Sequence, residues 1–371
     1  MLLFLESDCH KTMKKNDKSL YFSIFLLVSL GLLILGSLSK NDSPRFFSLE
    51  KQLFFIGLGF LIFFFLSSLD WRFLSTSSSL LMALYFLSLS SLFLVLIFGK
   101  TSRGATGWFN FGFFTFQPIE FAKIILLLVL AKYLSSRHKE IWQFKYLFTS
   151  GLYALLPIGL VILQPDLGGA IVLTLIWFVL VLASGIRLEQ IFLLLIIFAL
   201  IISLAWVFLL KPYQRDRILN FVNPQKDILG IGYNRNQALI AIGSGRFLGK
   251  GLGWGTQTQL RFLPLAKTDF IFAALAEELG FLGISILLGG YLLLFFRLSH
   301  WTKIFENNFC KLFTFGFAIK LLIECFINLG MNTGLLPIIG LALPFISYGG
   351  SHLLADFIGL GIINSMIRHR T

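Results

Sequence analysis

Apolar runs of about 20 residues recur along the chain and are separated by short polar segments. A run of this length spans the hydrocarbon core of a bilayer as an α-helix. The pattern predicts an all-α polytopic membrane protein with about ten transmembrane helices. The predicted spans are 20–39, 51–69, 78–98, 116–135, 145–163, 168–186, 189–210, 270–297, 309–329 and 340–367, the last with a polar, Gly-rich entry.

One long polar segment, residues 211–269, separates the seventh and eighth spans. Up to Thr268 it carries nine Lys or Arg against two acids, a net charge of +7. Residues 238–242 are apolar but too short to span a bilayer, so we expect an interfacial or re-entrant helix there. The glycines that follow allow tight turns and close approach of the backbone to a ligand. A flexible surface loop is the simpler alternative.

The basic residues of the short loops predict the orientation. An even number of spans places both termini on one side, and short loops rich in Lys and Arg mark the cytoplasm. Residues 1–19 are therefore predicted to form a cytoplasmic tail, and the basic segment 211–269 an extracytoplasmic loop. The first span lacks a small-residue cleavage site and is predicted to be an uncleaved anchor. The whole chain, 1–371, is predicted to be a single integral membrane domain.

The composition is typical of a membrane protein, and the net charge indicates which classes of partner to expect. Of the 371 residues, 57% are hydrophobic and 13% charged, and the mean hydropathy is +0.84. Soluble domains have roughly a quarter charged residues. The net charge of +13 suits anionic lipid or an anionic substrate, and no nucleic-acid partner is expected because the charges do not cluster on a soluble domain. The three cysteines lack metal-ligand spacing and are predicted to be free thiols.

Charged pairs occur inside two predicted spans. Glu120 and Lys123 are three residues apart, and Lys320 and Glu324 are four apart, so each pair shares a helix face. An ionised pair in a membrane helix is costly and normally faces the protein interior. Such a pair is either a packing salt bridge or part of a polar cavity, and the residues leave both interpretations open.

Other polar residues also interrupt the apolar background. Asp166 precedes a predicted helix, and capping explains it as well as a functional role does. Pro337, Pro344 and the glycines at 349–350 would break a lipid-facing helix, and such breaks survive where they line a cavity or contact other helices.

A lone carboxylate, Asp269, follows the basic segment where the chain turns apolar again. From the residues alone it is a catalytic base or the N-cap of the eighth span, because Thr268 and Asp269 precede a predicted helix.

Together, these polar motifs resemble the SEDS family (shape, elongation, division and sporulation), and most closely its rod-shape members. The similarity extends from about Leu20 to Arg370. The motifs are QPIEFAK at 117–123, QPDLG at 164–168, the series from QALIAIGSG through GKGLGWGTQTQ, FLP and TDFIFA to EELG at 237–280, and NLGM through LPFISYGGS at 328–351.

The resemblance implies an activity and partners. Family members are peptidoglycan glycosyltransferases of the bacterial cytoplasmic membrane. They polymerise lipid II, an undecaprenyl-pyrophosphate-linked disaccharide-pentapeptide, at an outward-facing site for cell-wall elongation and cell shape. They work with a class B penicillin-binding protein in a wall-elongation complex. By motif match the catalytic acid is Asp269, and the paired intramembrane residues are Glu120 and Lys123.

The chain departs from the family pattern at three positions. Gly107 precedes Trp108 where Arg is usual, Leu265 follows Pro264 where an acid is common, and Arg246 stands where Gly is common.

The chemistry assigns candidate roles to further residues. A sugar hydroxyl that attacks an anomeric carbon needs a base, and the pyrophosphate that leaves needs cations. A divalent cation, Mg or Mn, is a possible further pyrophosphate partner, and a single carboxylate suits inversion at the anomeric carbon. The candidate pyrophosphate partners are Arg215, Arg217, Lys250 and Lys267, and the other candidate substrate-binding residues are Glu120, Lys123, Asp166, Gln257, Ser347 and Ser351.

Two other functions remain open at this point. Broken helices and intramembrane charges also fit a transporter that flips the lipid-linked precursor. A non-enzymatic scaffold for wall-synthesis partners is the second alternative, and it would make Asp269 dispensable.

Overall fold

The computed structural model describes residues 17–42, 47–102, 105–112, 114–137, 140, 143–204, 212–222 and 231–370. These residues are mostly helical, as the apolar runs predict. The helices are α1 (Lys18–Leu38), α2 (Phe47–Ser68), α3 (Arg72–Thr76), α4 (Ser78–Phe98), α5 (Pro118–Ser136), α6 (Phe144–Leu163), α7 (Leu167–Ala183), α8 (Leu188–Leu204), α9 (Pro212–Val222), α10 (Ile231–Ser244), α11 (Thr256–Gln259), α12 (Ile271–Ile304), α13 (Asn308–Asn332) and α14 (Gly350–Arg368).

Ten of these helices occupy the positions of the ten predicted spans. Seven are long and apolar enough to cross a membrane: α1, α2, α4, α6, α12, α13 and α14. The other three are α5, which carries Glu120 and Lys123, and the apolar helices α7 and α8, of 17 residues each. The all-α polytopic fold is therefore confirmed.

The last span begins later than predicted. Its helix starts at Gly350, so residues 340–349 form an irregular approach to α14. Pro344 lies in this approach, and both Gly340 and Phe345 have positive φ angles, of 85° and 64°. A proline and left-handed backbone are incompatible with a continuous helix.

The basic segment is more ordered than a flexible loop. It contains α9, α10 and α11, and α10 covers the short apolar run at 238–242. Ala238 and Ala241 are buried and form a small core with Leu263, Phe270 and Ala273. The helix expected at this run is present, and it packs against the first turn of α12.

α12 is interrupted at Gly280, where φ is 64° and ψ is −157°. Residues 245–251 fill the break, and we call their contact with residues 276–282 the glycine junction. The amides of Lys250 and Gly251 donate to the carbonyls of Glu277 and Glu278, at 2.9 and 3.0 Å, and the amide of Phe281 donates to the carbonyl of Arg246 at 2.9 Å. The junction thus pairs backbone groups near the break.

Glycine is required for this close approach. A Cβ at Gly245 would lie 1.8 Å from the carbonyl oxygen of Ala276, and one at Gly249 would lie 2.2 Å from that of Glu278. These glycines approach the backbone of α12, where the sequence suggested approach to a ligand. Arg246, which stands where the family commonly has Gly, has a φ of 49°, in the left-handed region that glycine favours.

A small antiparallel sheet precedes α5 and was not expected from the sequence. Its strands are β1 (Lys100–Ser102), β2 (Ala105–Asn110) and β3 (Thr115–Phe116), in that order. The amide of Thr106 donates to the carbonyl of Gln164 at 3.1 Å, which joins the sheet to the turn between α6 and α7.

The core lies where α13 and α14 meet the surrounding helices. α14 packs on α2 and α5, and α13 packs on α5, α7 and α12. A Cβ at Gly59 would lie 2.3 Å from Phe357, so α2 and α14 approach closely there. Cys310 and Cys325 are buried free thiols, as predicted, whereas Cys9 lies outside the described residues.

Candidate active site

Asp269 lies in the turn that leads from the basic segment into α12. Its residue surface is only 7% exposed. A Cβ on Gly340 would lie 3.5 Å from Asp269 Oδ2, so the carboxylate faces the irregular segment before α14. The turn therefore brings the end of the basic segment against the broken approach to the last helix.

The assigned start of α12 lies one residue beyond the position that a capping role for Asp269 predicts. The N-cap position of α12 is occupied by Phe270. In the first turn the amide of Ala273 donates to Oδ1 of Asn332 at 3.2 Å. A side chain of α13 therefore accepts a hydrogen bond from a backbone amide at the start of α12.

Ser347 and its neighbour hold the turn from the other side. Ser347 Oγ donates to the carbonyl of Thr268 at 2.7 Å and accepts the amide of Leu343 at 2.8 Å. The amide of Tyr348 donates to the carbonyl of Lys267 at 2.8 Å. Ser347, a candidate substrate-binding residue, thus binds the main chain next to Asp269.

Two of the candidate pyrophosphate partners are already paired with carboxylates. Lys267 Nζ contacts Asp42 Oδ1 and donates to Ser48 Oγ at 2.9 Å. Burial opposes ionisation of Asp42, but hydrogen bonds from Lys267 and Ser48 outweigh it and hold the pKa of Asp42 below its usual value. Lys250 Nζ lies 2.9 Å from Glu277 Oε1. A pyrophosphate bound by either lysine would have to compete with these carboxylates.

Both arginine candidates lie on α9, and Arg217 is near the segment that Asp269 faces. Arg217 lines a narrow crevice with Arg235 and residues 336–338, just before Gly340. Arg235 Nη2 donates to the carbonyl of Gly334 at 3.1 Å. Arg215 is also on α9. A cationic surface therefore borders the same segment as the Asp269 carboxylate.

The remaining candidates serve the local structure. Asp166 accepts the amide of Gly169 at 2.9 Å, as its predicted capping role requires. The main-chain amide of Gln257 donates to Glu277 Oε1 at 2.9 Å, whereas its side-chain Oε1 is buried and accepts no hydrogen bond from the described residues. Ser351 Oγ accepts the amide of Gln117 at 3.0 Å and donates to the carbonyl of Thr115 at 3.3 Å, which fixes the start of α5 against α14.

A second polar group, the ionic cluster, lies among α5, α13 and α14. Its members come from three helices and are all buried: Glu120, Lys123, Lys320, Glu324, His352 and Asp356.

Lysines bridge the carboxylates of this cluster. Lys123 Nζ lies 2.9 Å from both Glu120 Oε1 and Glu324 Oε1. Lys320 Nζ lies 2.8 Å from Glu324 Oε2 and 2.5 Å from Asp356 Oδ1. Both predicted intramembrane pairs are present, and one network contains them.

The cluster does not fit a divalent cation well. Three potential ligand atoms lie within 4.8 Å of one another, one each from Glu120, Glu324 and His352. Both Glu324 oxygens, however, already contact lysine ammonium groups. A divalent cation here would have to displace a lysine, against the repulsion of the other. A Mg or Mn ion as a further pyrophosphate partner was one possibility from the sequence, and it stays a prediction.

The comparisons with known proteins identify the family. The model of the cell cycle protein family of FtsW, RodA and SpoVE matches residues 18–371. The chain belongs to the SEDS family. Peptidoglycan glycosyltransferase MrdB of Escherichia coli K12 is 35% identical to this SEDS protein over 354 residues, covering 95% of this chain and 94% of that protein. Stage V sporulation protein E of Bacillus subtilis 168 is 36% identical over 375 residues, covering 96% and 99%.

Solved structures of SEDS proteins share the fold. A chain from a peptidoglycan synthase complex with coordinated polymerization and crosslinking superposes with a TM-score of 0.80 at 36% identity, over 96% of this chain and 99% of that one. Rod shape determining protein RodA of Thermus thermophilus superposes with a TM-score of 0.71 at 35% identity, over 95% and 97%.

Three residues of the ionic cluster and the arginine crevice, His352, Asp356 and Arg235, were not predicted from the sequence of this SEDS protein. His352 and Asp356 are four apart on α14, the same helical signal that revealed Lys320 and Glu324. Arg235 was counted among the basic residues without a role. Its place beside Arg217 depends on the packing of α9 against α10, for which the sequence carries no short-range signal.

Proposed function

We propose that this SEDS protein is a peptidoglycan glycosyltransferase that polymerises lipid II into glycan strands for cell-wall elongation. The observation that carries the proposal is the buried carboxylate of Asp269, placed where the cationic segment meets α12 and the broken approach to α14. The likeness to peptidoglycan glycosyltransferase MrdB over 95% of the chain supports it.

In the proposed reaction Asp269 is the general base. It takes the proton of the acceptor sugar hydroxyl, whose oxygen forms a bond to the anomeric carbon of the donor. The bond from that carbon to the pyrophosphate oxygen breaks, and its electron pair leaves with the pyrophosphate. One displacement by one base inverts the anomeric carbon.

Arginine side chains on α9 and α10 are the better-placed partners for the pyrophosphate. Arg217 and Arg235 border the segment against which Asp269 lies, whereas Lys250 and Lys267 are engaged by Glu277 and Asp42. Fixed guanidinium groups stabilise charge that develops on a phosphate oxygen.

The orientation and the partner follow from the same proposal. We infer that the protein lies in the bacterial cytoplasmic membrane with both termini cytoplasmic and the basic segment outside, because its short loops are basic on the opposite side. A class B penicillin-binding protein is the proposed partner, supported by the likeness to a chain of a peptidoglycan synthase complex. A cysteine introduced at Leu260, an exposed residue, should react with an impermeant thiol reagent in intact spheroplasts, whereas one at Ser136 should not.

The test of the proposed function is Asp269→Asn in purified protein supplied with lipid II. Loss of the base should lower polymerisation by roughly 10²-fold or more, while lipid II binding persists. Asp216→Asn is the matched control, because Asp216 is an exposed acid of the same basic segment, and it should polymerise at the wild-type rate.

Close to wild-type polymerisation by Asp269→Asn would reject the proposed base. Protein that moves lipid II across vesicles without joining it would favour the transporter, and full support of growth by an inactive variant would favour the scaffold.

A further inference from the structure

Three consecutive carbonyls at the Asp269 turn accept hydrogen bonds from α13 and the approach to α14. Those of Lys267 and Thr268 bind Tyr348 and Ser347, as described above. The carbonyl of Asp269 accepts two bonds, from Asn328 Nδ2 at 3.1 Å and from Asn332 Nδ2 at 3.0 Å. The main chain that carries the proposed base is therefore held at every residue of the turn.

Both asparagines are fully buried and fixed by further bonds. Asn328 Nδ2 also donates to the carbonyl of Leu341 at 2.8 Å, one residue after Gly340, which faces the Asp269 carboxylate. Asn332 Nδ2 donates to the carbonyl of Asn328 at 2.8 Å, and its Oδ1 accepts the amide of Ala273. Asn328 therefore joins the Asp269 turn to the segment opposite it, and Asn332 joins that turn to the start of α12.

The two asparagines continue a stripe of polar residues along α13. Lys320, Glu324, Asn328 and Asn332 recur every four residues, so they share one face of the helix, and each is 0% exposed. The stripe is about 18 Å long at 1.5 Å per residue. One end joins the ionic cluster and the other joins the Asp269 turn, so the helix that bears the asparagines is itself anchored to α5 through Glu324 and to α14 through Lys320.

We propose that Asn328 and Asn332 are positioning residues that fix the Asp269 carboxylate through its main-chain carbonyl. This inference rests on the proposed function, because it concerns the same base. Neither amide needs to touch substrate. Their effect is geometric, and a displacement of about 1 Å at a reacting group can reduce a rate by roughly a hundred-fold.

Asn332→Leu is the first variant. Leucine has nearly the shape of asparagine and carries no charge, but it has no N–H groups to bind the carbonyl of Asp269. It also leaves the amide of Ala273 without its acceptor, a loss that Asn328→Ala does not share. We expect kcat for lipid II polymerisation to fall roughly ten- to a hundred-fold, with KM and lipid II binding within about two-fold of wild type.

Asn328→Ala is the second variant, and Thr314→Val is the matched control. Asn328→Ala removes the other donor without adding charge, and kcat should again fall while KM is kept. Thr314 is fully buried on the same helix, and within the described chain its hydroxyl has no hydrogen-bond partner, so Thr314→Val should keep the wild-type kcat.

The outcomes separate this inference from the proposed function. A wild-type kcat in Asn332→Leu and Asn328→Ala, beside an inactive Asp269→Asn, overturns the positioning role alone. Parallel losses of kcat, lipid II binding and thermal stability overturn it too, because that is what a merely structural role produces. An active Asp269→Asn overturns both. Loss of kcat alone in the two asparagine variants, with Asp269→Asn inactive, supports both.

Discussion

The ionic cluster and the glycine junction both keep polar groups from water, and they do so by opposite means. In the cluster, long charged side chains from three helices neutralise one another in the space between the helices. In the junction, Gly245 and Gly249 have no side chain, and the backbone of residues 245–251 bonds directly to the backbone of α12. The first arrangement depends on charge balance, and the second depends on the space that glycine leaves.

This difference predicts how each region fails. Removing a charge from the cluster leaves its partner buried without compensation, whatever the new side chain's size. Adding a single methyl group to the junction forces backbones apart, whatever its polarity. Substitutions in the cluster, in the junction and at a charged contact at the start of α1 should therefore differ in their cost to stability.

The largest expected effect is that of Glu120→Ala in the cluster. Lys123 would keep one carboxylate in place of two, and His352 would lose its contact at 2.9 Å. We expect a loss of about 3–5 kcal/mol in stability, measured as a lower unfolding temperature in detergent together with a lower folded yield.

The chain offers a matched control for that variant. Arg137 and Glu140 have the same three-residue spacing as Glu120 and Lys123, but their side chains are 49% and 44% exposed. Glu140→Ala should cost at most about 1 kcal/mol. Equal effects of the two substitutions would show that burial does not govern the cluster.

A somewhat smaller loss is expected for Gly249→Ala in the junction. The new Cβ would meet the carbonyl of Glu278 at 2.2 Å, and the φ of 80° at this position disfavours alanine. Together these effects should cost about 3 kcal/mol and separate residues 245–251 from α12. Unfolding temperature and protease cleavage within the basic segment measure the two consequences.

Gly243→Ala is the control for the junction. No atom lies within 4 Å of a Cβ built at Gly243, which is in α10. Alanine there should be neutral or stabilising by up to about 1 kcal/mol, because it favours the helix. A loss similar to that of Gly249→Ala would mean that the segment tolerates no added side chain anywhere.

Much of the fold was predictable from the sequence, because membrane spans follow from length and hydropathy alone. The pairs Glu120–Lys123 and Lys320–Glu324 were predictable for a similar reason, since helical periodicity fixes their faces. The joining of the two pairs into one network was not predictable. Lys123 and Glu324 are 201 residues apart in the sequence, and only the packing of α5 on α13 brings them into contact.

The candidate site was less predictable than the spans. The resemblance to SEDS proteins pointed to Asp269, but the roles of Asn328 and Asn332 depend on a turn 59 to 63 residues earlier in the chain. The glycines at 245 and 249 were noticed, yet a glycine pattern indicates close approach without indicating what approaches. Tertiary packing decided that point.

The smallest expected effect concerns Asp17, the N-cap of α1 and the partner of Arg297 and Trp301 at the end of α12. Burial opposes ionisation of Asp17, but hydrogen bonds from Arg297 and Trp301 outweigh it and lower its pKa below the ordinary value of 3.8. The stabilisation is therefore fully present above pH 3.8 and is lost as the pH falls through the lowered pKa.

Asp17→Asn isolates this charge, because asparagine caps a helix about as well as aspartate. The variant should lose about 1.5 kcal/mol at pH 7 and approach wild type only below pH 3.8, in unfolding measured across that range. A difference that already vanishes near pH 6 would contradict a stabilised carboxylate.

The break at Gly280 also sets an order of events during biosynthesis. Residues 245–251 leave the ribosome before α12 does, so the backbone groups they bind, from Glu277 to Leu282, emerge later. In the proposed topology the basic segment crosses the membrane before these hydrogen bonds form, and insertion of Phe281–Ile304 then closes the junction. Maturation of the proposed catalytic side would thus follow the entry of the eighth span into the bilayer.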